Sequence, residues 1–242
     1  MFEEEAMSAK LTGWEVPGEV SAVETMRQMA VARSKWYSLV GTLLSRPPSE
    51  NCLEELFSWE CRQALAEWAS EEVLAQLAQL SAARPSIGVL TESFDELFNV
   101  PGPRYLTPYE SVFRDSRVLD DGREVSGLTF GPSTDDVIRY YHLAGLEISE
   151  EYDELPDHIG LEVEFMRYLC EREAEALADG EEGLAATIRE TEKGFLERHL
   201  TAWAPELLAR AEACSAHPFY GCLLRLLPEF AVHDLNYLKE LH

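Results

Sequence analysis

The residues with chemistry to offer lie in one short run, Glu154-Leu155-Pro156-Asp157-His158, followed by Glu162. His158 and Glu162 are four apart, so a helix places them on one face, as a metal site requires. They supply two ligands where a catalytic zinc takes three, and HExxH is absent. A metal-dependent enzyme centred on His158 is therefore the weaker reading, and polar contacts at a helix start or at the rim of a peptide-binding groove are the stronger one. Pro156 and Asp157 are expected in the first turn of the helix, where the missing proline N–H costs nothing and a carboxylate favours the positive end of the dipole. His199 is expected to cap a helix or sit in the core, because no carboxylate and nucleophile accompany it in a recognisable pattern. With no P-loop, dinucleotide fingerprint or GxSxG elbow, neither a catalytic residue nor a metal is expected.

A second segment, Leu97-Phe98-Asn99-Val100-Pro101-Gly102 with Pro108-Tyr109-Glu110-Ser111-Val112-Phe113, joins a helix end to a Pro-rich loop with aromatics and a carboxylate. It is either a packed loop covering the core or a recognition loop, in which Pro-fixed backbone and Tyr side chains give contact area at low entropic cost.

Helices must position both segments. Apolar positions from Val23 to Leu44 form a helical stripe that Pro47-Pro48 ends. Further helices are expected near 50–66, 70–82, 86–98, 133–145, 156–179, 182–200, 204–214 and 217–228, with a last one near 230–241. Pro205 is placed in a first turn. Residues 99–132 break the pattern with repeated Pro and Gly, a loop long enough to be functional. On the 156–179 helix Ile159, Val163, Met166 and Cys170 line one flank and Leu161, Phe165 and Leu169 the next, so it is buried or faces a groove. The fold class is all-α: an arm at 1–18, then one helical domain over 19–242 of roughly ten helices, with a hinge between two subdomains at 120–155 as an open alternative.

Acidic residues outnumber basic ones 45 to 20, a formal net charge of −25. Nucleic acid is thereby an unfavourable partner. Residues 146–200 hold 17 Asp/Glu against 5 Lys/Arg, net −12, which either serves solubility alone or attracts a basic polypeptide. The acidic start Met1-Phe2-Glu3-Glu4-Glu5 is unlike a signal peptide, no run is long and apolar enough to span a bilayer, and the five cysteines contain no CxxC pair. A cytoplasmic protein with buried reduced thiols is expected.

Taken in order, several segments resemble the TorD/DmsD/NarJ chaperones, or redox enzyme maturation proteins. They are Tyr37-Ser38-Leu39 running to Pro47-Pro48, Leu97-Phe98 with Pro108-Tyr109-Glu110-Ser111-Val112, Pro156-Asp157-His158 leading into Glu162-Val163-Glu164-Phe165-Met166, Phe195 through Trp203 and Pro205, and Phe219-Tyr220. The resemblance implies an all-helical chaperone, not an enzyme. Such a chaperone binds the precursor of a molybdopterin-containing oxidoreductase before cofactor insertion and export, commonly at a twin-arginine signal peptide. A NarJ-like role on a non-exported catalytic subunit is the alternative. The client-binding positions it implies are Tyr109, Glu110, Ser111, Pro156, Asp157, His158 and Glu162, with Leu97 and Phe98 as apolar support. Asp157 and Glu110 would face the leader's arginines, and Leu97, Phe98 and Tyr109 its apolar stretch. No resident cofactor is implied, although the family has been linked to guanine nucleotides and the molybdopterin cofactor, and transient contact with either is kept as an expectation. A homodimer, formed by swapping across the hinge, also stays open.

Overall fold

The computed structural model describes residues 21–148 and 154–241, and the arm at 1–18 and part of the expected hinge lie outside the described residues. The described residues are all-α apart from one two-stranded ribbon. In chain order the helices are α1 (Ala22–Ser45), α2 (Glu50–Leu56), α3 (Trp59–Leu65), α4 (Glu71–Ala83), α5 (Ile87–Phe94), α6 (Glu110–Arg114), α7 (Pro132–Leu143), α8 (Ile159–Ala178), α9 (Glu182–Arg198), α10 (Leu200–Ala213) and α11 (Pro218–Glu240). A π-helical turn, Asp95–Asn99, extends α5.

Local sequence sets the starts of the first five helices in one way. Ser21, Ser49, Ser58, Ser70 and Ser86 each accept a hydrogen bond from the N–H three residues on, satisfying a donor that the helix leaves open. The serine cap at Ser58 also explains why the expected 50–66 helix is two helices. The Pro/Gly-rich stretch after Asn99 is less empty than expected, since it holds α6 and an antiparallel ribbon of β1 (Ser116–Val118) and β2 (Glu124–Ser126).

The break expected between helices near 217–228 and 230–241, and the first-turn place of Pro205, do not hold. Pro228 lies inside α11, and the helix continues because Leu224, Leu227, Phe230, Ala231, Asp234, Leu235 and Leu238 are buried on both sides of it. That burial outweighs the roughly 3 kcal/mol a mid-helix proline costs. Pro205 likewise sits beyond the first turn of α10, which begins at Leu200.

The core is formed where α1 packs along α8, α8 on α9, and α10 on α11, around fully buried Trp203, Tyr37, Tyr220 and Phe195. Gly41 lets α1 approach closely, since a Cβ there would stand 3.1 Å from Val163 Cγ1 on α8. Of the cysteines, Cys170 and Cys222 are buried as expected, whereas Cys52, Cys61 and Cys214 are only half-buried, and all five are free thiols.

Charge is buried in this core as well. The Arg33 guanidinium on α1 is 3% exposed and meets Glu173 of α8 at 2.8 Å, Glu192 of α9 and Asp234 of α11. Asp234 also accepts a 2.6 Å bond from the Tyr37 hydroxyl. Burial pushes Glu192 up to about 8 against the pull of Arg33, so this group favours the fold most below its unfolded value and loses that contribution as pH rises through about 8. Replacing Arg33 by Met removes the shared cation from three buried carboxylates, leaving Glu173 with Arg189 and Asp234 with the Tyr37 hydroxyl. The expected cost is about 3–5 kcal/mol at pH 7.5, shrinking as pH is lowered and the carboxylates take up protons. Urea denaturation across that range measures it.

Candidate functional site

Apart from Leu97 and Phe98, the expected binding residues converge on one junction. The segment before α6 lies beside the segment before α8 in a short antiparallel bridge between Tyr109 and His158. Ile159 N–H donates to the Pro108 carbonyl at 2.9 Å, and Glu110 N–H donates to the Asp157 carbonyl at 3.0 Å. The Asp157 side chain accepts from Ser111 N–H at 2.8 Å, in the open first turn of α6.

This corrects the expected role of Asp157. It lies before α8 rather than in its first turn and closes the start of α6 instead. Pro156 also precedes the helix, and His158 is the cap, its Nδ1 accepting from Gly160 N–H at 3.1 Å. Burial lowers the His158 pKa against the nearby carboxylates Glu154 and Asp157, which keeps the ring neutral and able to accept.

Beneath the bridge is a buried cluster of carboxylates. Glu110, Asp157 and Glu162 are all 0% exposed. Glu110 Oε2 lies 2.7 Å from His199 Nδ1, and its other oxygen pairs with Arg114. Glu162 turns inward to accept from Trp203 Nε1–H at 3.0 Å. Burial, then the charges of Glu110 and Asp157, hold the Glu162 pKa well above the usual carboxylate range, so it stays a neutral acid to higher pH.

The expectation that Glu110 and Asp157 face a client's arginines is therefore corrected, since both carboxylates are sealed from solvent and engaged within the fold. His158 and Glu162 do not aim at a shared ligand either, one capping α8 and the other bonding α10. Among the described residues no group of three or more His, Cys, Asp or Glu side chains is arranged to hold a metal ion. Leu97 and Phe98, also buried, stand apart from this cluster. Phe98 joins Phe94 and Tyr220 in an aromatic group, and the Leu97 carbonyl accepts from Leu106 N–H at 2.9 Å to hold the loop that leads to Tyr109.

His199 is at the α9–α10 junction and buried, yet it has the carboxylate company that the sequence did not reveal: Glu110 on one ring nitrogen and Asp136 at 3.5 Å from the other. Glu110 is 89 residues away in sequence, so no linear pattern could announce the pair. Arg198 and Arg139 hold Asp136 below the usual range despite its partial burial.

What remains reachable is the outer edge of the junction. Tyr109 is half-buried, its hydroxyl bonded to Glu154 and its ring edge-on to His158 at 5.4 Å between centroids. Behind Pro156, whose carbonyl accepts from the Tyr141 hydroxyl at 2.9 Å, α7 and α8 part to form an open cleft of about 270 Å³. Tyr141, Leu146, Ile148, Leu161, Phe165 and Tyr168 line it, with exposed Glu147 and Glu164 at its rim. The sequence placed Leu161 and Phe165, with Leu169, on an apolar flank that was either buried or facing a groove, but could not show α7 and the residues after it as the opposite wall.

The family described as nitrate reductase delta subunit matches residues 61–209, which contain the bridge, the carboxylate cluster and the cleft. The chain belongs to this family. It is also similar along most of its length to proteins named as chaperones. It is 28% identical over 225 residues to the perchlorate reductase assembly chaperone protein of Dechloromonas aromatica, covering 88% of this chain and 93% of the relative. It is 23% identical over 216 residues to chaperone protein TorD of Shewanella pealeana, covering 86% and 90%. Over a shorter stretch of 95 residues it is 40% identical to the selenate reductase assembly chaperone protein of Thauera selenatis. That match covers 39% of this chain and 48% of the relative, so the chain spans about half the length of that protein. The TorD-like resemblance read from the sequence is thus shown, and these relatives are named as chaperones rather than catalysts.

The cluster makes two stability predictions. Asp157→Ala, which orphans the buried Ser111 N–H, is expected to cost about 1–3 kcal/mol, whereas Ser111→Ala removes a buried hydroxyl with no protein partner and is expected to be within about 0.5 kcal/mol of neutral. Glu162 has a raised pKa, so its contribution is complete below the unfolded value and is lost as pH rises toward its folded one. Glu162→Gln, which mimics the neutral acid, should flatten the fall in melting temperature on the alkaline side. Thermal melts from pH 5 to 9 test both.

Proposed function

We propose that the protein is an assembly chaperone that binds the cofactor-free precursor of a molybdopterin-containing oxidoreductase, at its twin-arginine leader, in the cytoplasm and before export. The observation that carries this reading is similarity over 86–88% of the chain to proteins named as reductase assembly or TorD chaperones. The site is compatible with it, because its polar residues are spent on holding backbone segments together and the accessible feature beside them is an apolar cleft with an acidic rim. No helix among the described residues is long and apolar enough to cross a membrane.

The physics of a leader suits such a surface. A basic start followed by an apolar middle is complementary to carboxylates flanking an apolar cleft. Burying about 300–500 Å² of apolar surface at about 25 cal/mol per Å² contributes roughly 8–12 kcal/mol gross. Ordering the segment offsets much of this, leaving affinity near micromolar, weak enough for release. In this role the chain needs no catalytic group and no cofactor of its own.

The test is co-purification of the tagged full chain from anaerobically grown source cells, with mass spectrometry of the bound proteins and their N-termini. A molybdopterin oxidoreductase precursor with its leader intact is the expected result. The same subunit without any leader would move the protein to the NarJ-like role, and recovery of no oxidoreductase would contradict the chaperone reading.

A further inference from the structure

The α7–α8 cleft does not end at Tyr168. Tyr168 also lines a second, smaller hollow in which Leu143, Leu184 and Ile188 stand beside Arg172, Thr187 and Thr191, so apolar side chains recur from Leu146 across Tyr168 to α9 with polar ones among them. Leu143 is 77% exposed and Leu184 40%, a high exposure for leucines on the described helices. Exposed leucines next to an apolar cleft, with polar side chains interspersed, have the make-up of a partner-binding surface. Beside the cleft stand Glu147, Glu164 and Glu171 with one cation, Arg167, which is already paired to both Glu164 and Glu171. That end carries a net negative charge.

We propose that this strip, from Ile148 and Leu146 over Tyr168 to Leu143 and Leu184, is where the apolar stretch of a client leader docks, with the leader's basic start over Glu147 and Glu164. The assignment rests on the chaperone reading and places the client contact outside the residues that the family resemblance implies. The cleft volume of about 270 Å³ suits a few apolar side chains, and the strip offers further contact in line with it, as an amphipathic helix laid in a groove requires. The bridge between Tyr109 and His158 then acts as a brace. Tyr141 lines the cleft while its hydroxyl holds the Pro156 carbonyl, so the segment before α8 fixes one cleft wall.

The experiment uses the leader peptide of the precursor recovered by co-purification, synthesised with fluorescein and titrated with the full chain by anisotropy. Leu146→Asp is expected to weaken binding by about tenfold or more, as loss of a buried apolar contact does. Leu143→Asp lies at a solvent-exposed position and the Glu147→Lys/Glu164→Lys pair at exposed rim positions, so neither should disturb folding. Each is expected to weaken binding by about threefold, the charge reversal also making it less salt-dependent. Equal affinity for the wild type and all three variants overturns the docking surface and leaves the chaperone reading standing. A wild-type dimer that Leu143→Asp dissociates, with peptide affinity unchanged, assigns the strip to a second copy of this chain and overturns it too. No peptide binding by the wild type, or a recovered client without a leader, overturns the strip and the leader contact together, while co-purification still decides the assembly role.

Discussion

A guanidinium that is removed from water must be neutralised where it lies, and this constraint organises the helical body. Arg33 draws one carboxylate from each of α8, α9 and α11. Four helices, of which α1 is more than 100 residues from the other three, are thereby tied together at one side chain. Apolar burial supplies most of the driving force but is tolerant of sliding, whereas this pairing is satisfied in one arrangement only. Through α8 the constraint reaches the functional region, because Glu173 near its end and Glu162 near its start are held by α1 and α10 respectively.

The same economy governs the junction at the start of α8. Its residues include His, Asp, Glu and Ser, the types from which active sites are made, yet their atoms are directed at backbone N–H groups, an indole and each other. Asp157 closes α6, His158 caps α8, and Glu162 is kept neutral beside Glu110. A polar cluster arranged in this way fixes geometry and leaves no reactive group facing solvent. The junction also adjoins the cleft, since Tyr141 lines it while bonding the Pro156 carbonyl.

Much of the fold was legible because it is written locally. Serines at five successive helix starts, apolar stripes at 3.6-residue spacing and Pro47-Pro48 after α1 each act within a few residues. Where the reading failed, a long-range term overrode a local one. Pro228 did not break α11 because packing on either side of it was worth more, and Pro156 and Asp157 lie outside α8, held by Tyr141 of α7 and by the start of α6 respectively. The candidate site was legible as a set of positions and not as a set of roles. Burial of Glu110 and Asp157 follows from the approach of two segments about 46 residues apart, and the His199 contacts from an α9–α10 junction further still. Spacing along the chain carries no record of either.

The central claim is that the buried junction braces a client-binding cleft without itself touching the client. Hydrogen–deuterium exchange of the full chain, alone and bound to its reductase precursor, tests this most directly. The account predicts that amides at 108–111 and 157–160 are already slow in the free protein and change little, while peptides covering 141–148 and 161–168 gain protection on binding. Protection concentrated at Leu97, Phe98 and Tyr109–Ser111, with the cleft unchanged, would contradict it.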